Sequence, residues 1–266
     1  MYSITLAAVL ALTPMDVDGL SATNLRTTYG VLGPVRRDTR FLPGDDFVLS
    51  FDIEGAKVNG AGKVLYSVGM EVTDNQGKVR FRQIPNDLEA AAPSASGGKG
   101  LPACASVQIG LDQDPGAYTV KVTVKDRVAA ASREITRTCQ ILPKGFGLVR
   151  VMTTADPDGK VPTAFFEQGR RSWINFAAVG FGHAKSAGQP HVSVVMRVTD
   201  EAGRSELAKP FIGEVKDVSP SARSLPMQFA LEINRAGKFT VELTATDHVT
   251  RQSANVSFPV TVVKAR

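Results

Sequence analysis

Residues Met70 to Lys78 read MEVTDNQGK, and residues Met196 to Arg204 read MRVTDEAGR. The same strand and turn are written twice, 126 positions apart. Working outward, GDDFVLSFDIEG (44–55) lies over GRRSWINFAAVG (169–180). LPACASVQIGL (101–111) lies over LPMQFALEI (225–233), and PGAYTVKVTVKDRV (115–128) over AGKFTVELTATDHV (236–249). The offset drifts from 126 to 121 only where loops can differ in length, and the order of the segments is kept. Self-similarity at a long period is the mark of a duplicated unit.

Within each copy the apolar residues recur at every second position. Tyr118, Val120, Val122 and Val124 alternate with Thr119, Lys121, Thr123 and Lys125, as Phe239, Val241, Leu243 and Ala245 alternate with threonines and Glu242. Phe47, Leu49, Phe51 and Ile53 follow the same rule. Period two puts one set on a core and the other toward solvent, the pattern of an antiparallel strand. Gly-containing turns (DNQGK, DEAGR, DPGA, RAGK) separate the runs. No window shows helical period with caps. About seven strands per unit are expected, near 20–28, 46–54, 64–73, 78–83, 101–111, 117–126 and 132–142, which is the spacing of a sandwich. The fold class expected is all-β, two tandem antiparallel β-sandwiches.

The Pro-Gly-Asp entry at 43–45 and the Pro-Gly-Ala-Tyr at 115–118, each followed by an alternating strand, resemble bacterial immunoglobulin-like and fibronectin-type-III-like modules. The resemblance covers about residues 20–142 and 146–263. It implies an antiparallel sandwich and an extracytoplasmic setting, and it brings no catalytic residues.

Domain boundaries follow from the repeat: residues 1–18 stand outside it, residues 19–143 form the first unit and residues 144–266 the second. The run ITLAAVLAL (4–12) is too short to span a bilayer as a helix and fits a signal-peptide core, although no Lys or Arg precedes it. Export to the periplasm or cell surface is expected. The first 143 residues hold fifteen Lys and Arg against fifteen Asp and Glu, and the remainder sixteen against eleven, so the net +5 belongs to the second unit. No dense basic stripe of the kind nucleic acid requires is present.

Candidate chemistry is sparse. The histidines His183, His191 and His248 lack metal-ligand spacing, and no nucleophile-elbow motif occurs. SASGGKG (94–100) departs from a phosphate loop at both ends, and Pro85 to Gly100 reads as a long loop. The Asp-rich stretches at 16–19, 45–46 and 156–160 read as turn formers, short of a calcium ligand set. Neither cofactor nor metal is expected. Cys139 is in phase with the core set and Cys104 is out of phase with it, so a bridge between them requires a bulge. The one ligand-binding candidate is Arg170, Arg171 and Trp173, where an outward tryptophan beside two arginines could stack on a sugar or anchor a partner. The alternative is a tryptophan covered by the linker or the adjoining unit. The function expected is a non-catalytic module holding a protein partner by loops or a strand edge, with a glycan or polyanion binder as the alternative and no nucleic-acid partner.

Overall fold

The computed structural model describes residues 19–92, 99–184, 188–216 and 218–265. The expected leader, residues 1–18, lies outside them. Among the described residues there is no helix. The strands are β1 (Ser21–Thr27), β2 (Arg40–Phe41), β3 (Asp46–Glu54), β4 (Lys63–Asp74), β5 (Val79–Ala91), β6 (Leu101–Gln108), β7 (Gly116–Asp126) and β8 (Ser132–Ile141). They continue with β9 (Gly147–Thr154), β10 (Phe166–Glu167), β11 (Arg171–Val179), β12 (Val192–Asp200), β13 (Phe211–Val215), β14 (Ser224–Glu232), β15 (Gly237–Asp247) and β16 (Gln252–Val263).

The first eight strands make a three-stranded sheet, β1-β3-β6, and a five-stranded sheet, β2-β8-β7-β4-β5. The last eight repeat both orders with eight added to every number: β9-β11-β14 and β10-β16-β15-β12-β13. Pairing is antiparallel except for the two-residue parallel contacts β2–β8 and β10–β16. The alternating residues supply the cores. Phe47, Leu49, Phe51 and Ile53 of the small sheet pack with Val120, Val122 and Val124 of the large one. Ile174, Phe176 and Ala178 pack with Val194, Met196, Val241 and Leu243. Each such Leu, Val, Ile or Phe side chain contributes about 1.5–3 kcal/mol by leaving water.

Irregular features repeat as well. Asn24 and Arg150 each hold a positive φ (50° and 54°) within β1 and β9, where the register with the neighbouring strand slips. Ala130 and Arg251 do so (56° and 60°) in the β7–β8 and β15–β16 turns. Ahead of those turns sit two fully buried carboxylates, Asp126 and Asp247. Asp126 accepts hydrogen bonds from the backbone N–H of Val128, Ala129 and Lys57. Asp247 accepts from Val249, Gly182 and the Thr250 hydroxyl. Each carboxylate thereby ties its turn to a loop more than sixty residues away, and each satisfies donors that burial would otherwise leave stranded. Asp74 and Asp200 likewise accept from the turn N–H groups two and four residues on, which explains why the opening stretch is written twice. Tyr118 Oη donates to the Asp114 carbonyl at 2.9 Å, the short return bond of a tyrosine corner.

One segment departs from expectation. The first part of the expected loop, Pro85 to Ala91, is strand: β5 runs on to Ala91, with a register slip opposite Val68 and Met70. Proline lacks a ladder donor, and an edge strand with a bulge is where a sheet accommodates it. Gly69 makes the room, since a Cβ there would stand 2.9 Å from Pro85 Cγ. Ser94 to Gly98 of the Gly-rich run lie outside the described residues.

The two sets of strands touch. Val149, Ala177 and Val179, on the outer face of the β9-β11-β14 sheet, are buried against Leu42 and Leu111. Asp45 is buried at this junction, paired at 2.6 Å with Arg36 and accepting the Arg150 N–H at 2.8 Å. The Tyr29 ring lies 5.6 Å from that of Phe258. On the surface, Asp112 grips Arg223 with both carboxylate oxygens and also holds Lys144 at 2.7 Å. The cysteines are both free; Cys139 is in the core, and Cys104 is half-buried opposite Ser50.

Candidate interaction surface

Strand β11 and the turn residue before it carry the sequence candidates. Ile174, Phe176 and Ala178 face the core, so Trp173 points the other way and is half-buried between Thr154 of β9 and Ala230 of β14. Arg170 is exposed and paired with Glu167 at 2.9 Å, and Arg171 lies opposite Glu232 in the ladder. The structure brings the three together at one end of the strand, but each arginine there has an acidic neighbour of its own. An exposed pair such as Arg170–Glu167 is worth only a few tenths of a kcal/mol to about 1 kcal/mol. Further along the same face, Ala177 and Val179 are covered by Leu42 and Leu111.

A second surface was missed in the sequence. Among the described residues strand β13 ends the five-stranded sheet and pairs only with β12, from Val192↔Val215 to Met196↔Phe211. Phe211 and Ile212 are the exposed pair on it, at 44% and 71%. Phe211 and Gly213 face inward: the Phe211 ring is 6.5 Å from that of Phe229, and a Cβ on Gly213 would meet Met227 and Phe229. Ile212 and Glu214 therefore face outward. The other large sheet ends in the matching strand β5, whose edge carries Arg80, Arg82, Asp87 and Glu89 around Pro85. Arg82 pairs with Glu71, Glu89 with Lys63 and Asp87 with Arg127. Charges, proline and a bulge are the usual means of blunting an edge. Strand β13 lacks that protection at its centre. The sequence signal was the apolar pair in PFIGEV, the register equivalent of the stretch around Gln83 and Ile84.

Beside Glu214 lies a polar cluster. His191 is hydrogen-bonded through Nε2 to Glu214 Oε1, and His248 through Nε2 to Ser193 Oγ at 2.8 Å. The two imidazoles stack with centroids 4.3 Å apart. The hydrogen bond from His191, helped by Lys216, holds the Glu214 carboxyl below its ordinary range. The arrangement is two side-by-side pairs rather than a relay, because the carboxylate orients His191 while the hydroxyl sits on His248. Nucleophilic catalysis needs base and orienting group in series. These residues could have been found from the register alone, since pairing Val192 with Asp247 sets His191 against His248. Among the described residues no group of three or more His, Cys, Asp or Glu has metal-binding geometry.

Two concavities accompany these surfaces. A cavity of about 170 Å³ at the junction is lined by Pro43, Leu111, Val179 and Phe181, with Lys144 and Arg223 at its rim. A cleft of about 340 Å³ runs past Arg26, Ser50, Tyr66, Leu88 and Cys104 to Ala164. Burial pushes the Cys104 thiol up, which suppresses the thiolate. No described helix is long and apolar enough to cross a membrane.

No model of a known protein family matches the chain. No curated protein matches it. Solved structures do. Escherichia coli alpha-2-macroglobulin activated by porcine elastase matches 92% of this chain and 22% of its own, at 10% identity and a TM-score of 0.32. The C-terminal domain of the Streptococcus agalactiae AgI/II polypeptide BspA matches 91% of this chain and 100% of its own, at 10% identity and a TM-score of 0.30.

Proposed function

We propose that this chain is a non-catalytic, exported interaction module: two tandem immunoglobulin-like sandwiches, residues 19–143 and 144–266 after a leader of 1–18, that hold a protein partner by strand addition at β13. The observation that carries the reading is the edge itself. Ile212 is 71% and Phe211 44% exposed on a strand with one neighbour. An edge strand offers unpaired N–H and C=O groups as a template, and flanking apolar side chains give the added strand something to bury. The identical sheet orders of the two sets of strands support the tandem reading. The geometry of the His191–Glu214 and Ser193–His248 pairs supports a binding rather than a catalytic role, because the carboxylate and the hydroxyl sit on different imidazoles and no series of base and orienting group is formed.

The test is a photo-crosslinking residue placed at Ile212, at Ile84 on the blunted edge, and at Thr240 on the outer sheet face, in the source cells. Adducts with a protein at position 212 and at neither of the other two positions are expected. Equal labelling at all three positions overturns the edge as the binding surface. The mass of the mature N-terminus checks export.

A further inference from the structure

Strand β13 is complementary to itself. We infer that its partner is β13 of a second copy of this chain, the two strands pairing antiparallel about a two-fold axis at Ile212 to join two five-stranded sheets into one. The inference rests on the proposal that this edge binds protein and names the protein.

A two-fold axis perpendicular to a sheet keeps inner and outer faces in register, so residues of like parity oppose one another. Centred on Ile212, the pairing sets Ile212 against Ile212 on the outer face. It sets Phe211 against the second copy's Gly213 on the inner face, in both directions. Each half of that arrangement answers a defect of the monomer. Ile212 is 71% exposed, and a β-branched residue opposite its own kind buries both. Phe211 is 44% exposed, while beside Gly213 the inner face offers Met227 and the Phe229 ring 3.2 Å from where a Cβ would stand. A phenyl ring laid over a cross-strand glycine covers the backbone that the glycine exposes. The ring then continues the row Phe211–Phe229 into the second molecule.

Charges tolerate the pairing. In this register Glu214 falls opposite Pro210, Lys209 opposite Val215 and Lys216 opposite Ala208, so no like charges meet. Shifting the axis to Gly213 places Ile212 against Glu214, which buries neither well. The matching edge of the first sheet pair fails the same test. An axis at Ile84 opposes Gln83 to Pro85 and Arg82 to Asn86, with a missing N–H at the centre. A five-residue contact is small beside the area of a permanent dimer, so the association is concentration-dependent and weak.

Sedimentation velocity of the full chain over a wide concentration range reads it. Wild type and Ile84→Lys are expected to dimerise alike, whereas Ile212→Lys, which opposes two ammonium groups at the axis, is expected to stay monomeric with an unchanged melting curve. Independently, in a Cys104→Ser background, Ile212→Cys is expected to form an intermolecular disulfide under mild oxidation, because facing Cβ atoms in a ladder lie about 4.5–5.5 Å apart. Glu214→Cys is expected not to. A wild-type chain that remains monomeric to about millimolar concentration, the weak limit of specific association, overturns the self-pairing. A dimer that survives Ile212→Lys, or equal disulfide yields at 212 and 214, overturns it also. If self-pairing fails while the photo-crosslinker at 212 captures a different protein, the edge remains a binding surface and only its occupant is wrong.

Discussion

Removing the Asp45 carboxylate tests whether the two sets of strands act as one body. Asp45 and Arg36 pair at 2.6 Å with side chains 5% and 11% exposed. Asp45 Oδ1 also accepts the backbone N–H of Asp46 and, across the junction, of Arg150. Asp45→Ala strands a guanidinium that keeps only the carbonyls of Asp38 and Arg40 and the ring faces of Phe41 and Tyr29. Truncating one member of a buried pair costs about 3–5 kcal/mol. The surviving carbonyl contacts place this case near 3, and the stranded Arg150 N–H adds about 1 more. That is a large share of the roughly 5–15 kcal/mol that holds a domain folded. Urea unfolding is followed by far-ultraviolet circular dichroism and by fluorescence of Trp173, the single tryptophan, which reports on the second sheet pair alone. In the wild type the two signals are expected to fall together. In Asp45→Ala the dichroism loses its early part at lower urea while Trp173 shifts less, because the first sheet pair unfolds on its own. Arg36→Met combined with Asp45→Ala should recover more than half of the loss, since the unpaired cation is gone. A loss below about 1 kcal/mol, or no recovery in the double variant, refutes the account.

Acid should destabilise the fold along a predictable course. The Asp200 carboxyl is held low by the N–H and guanidinium of Arg204 and by Arg235, and Asp74 by Arg80 and the turn N–H groups. Burial pushes Asp247 up, but the Thr250 hydroxyl and three backbone N–H groups outweigh it and hold it low. A depressed folded pKa gives stability that is present above the unfolded value, about 3.9, and lost as pH falls through the folded one. Urea midpoints should therefore be level from about pH 7 to 5 and drop below about 4; a midpoint that rises on acidification contradicts the assignment. Asp46, raised by burial, works in the opposite sense and softens the drop. At the alkaline end, burial pushes the Cys139 thiol up to about 11, so a disulfide-forming thiol reagent at pH 8 should leave Cys139 unlabelled in the native chain and label both cysteines once urea is added. An intact mass two hydrogens short of the reduced chain would contradict the free thiols.

Much of the fold was legible because period-two patterning and turn chemistry are local. Tyr118 to Val124 and Phe239 to Ala245 declare their faces without reference to anything distant, and the opening stretch declares its turn through Asp74 and Asp200. The cysteines were legible for the same reason, by parity against neighbouring core residues. What stayed hidden depends on which strand ends a sheet. Pro85 reads as a break until an edge position and a bulge accommodate it. The exposure of Ile212 follows from β13 having one neighbour, which no property of PFIGEV states. The stacking of His191 on His248 needs the register of β12 with β15. Trp173 lies between these cases: its outward direction follows from parity, whereas its half-burial depends on β9 and β14 passing on either side.

The positions where the two sets of strands agree are those that satisfy backbone. Asp126 and Asp247, Asp74 and Asp200, and the positive-φ pairs Asn24 with Arg150 and Ala130 with Arg251 all terminate strands or absorb an extra residue. Such groups are fixed by the fold and would be present whatever the module binds. Function has to be sought where the two sets differ. They differ at Tyr118, which anchors its corner through a hydroxyl where Phe239 instead lies under Arg235. They differ most at the edge: thirteen residues in β5, where the exposed Ile84 sits beside a proline among four charges, against five residues with an exposed Phe-Ile in β13. A scaffold that blunts one edge and leaves the equivalent one open has met the same aggregation hazard twice and answered it once. An open edge is tolerable when something regularly occupies it, and this contrast within one chain directs attention to β13 ahead of the arginines and tryptophan of β11.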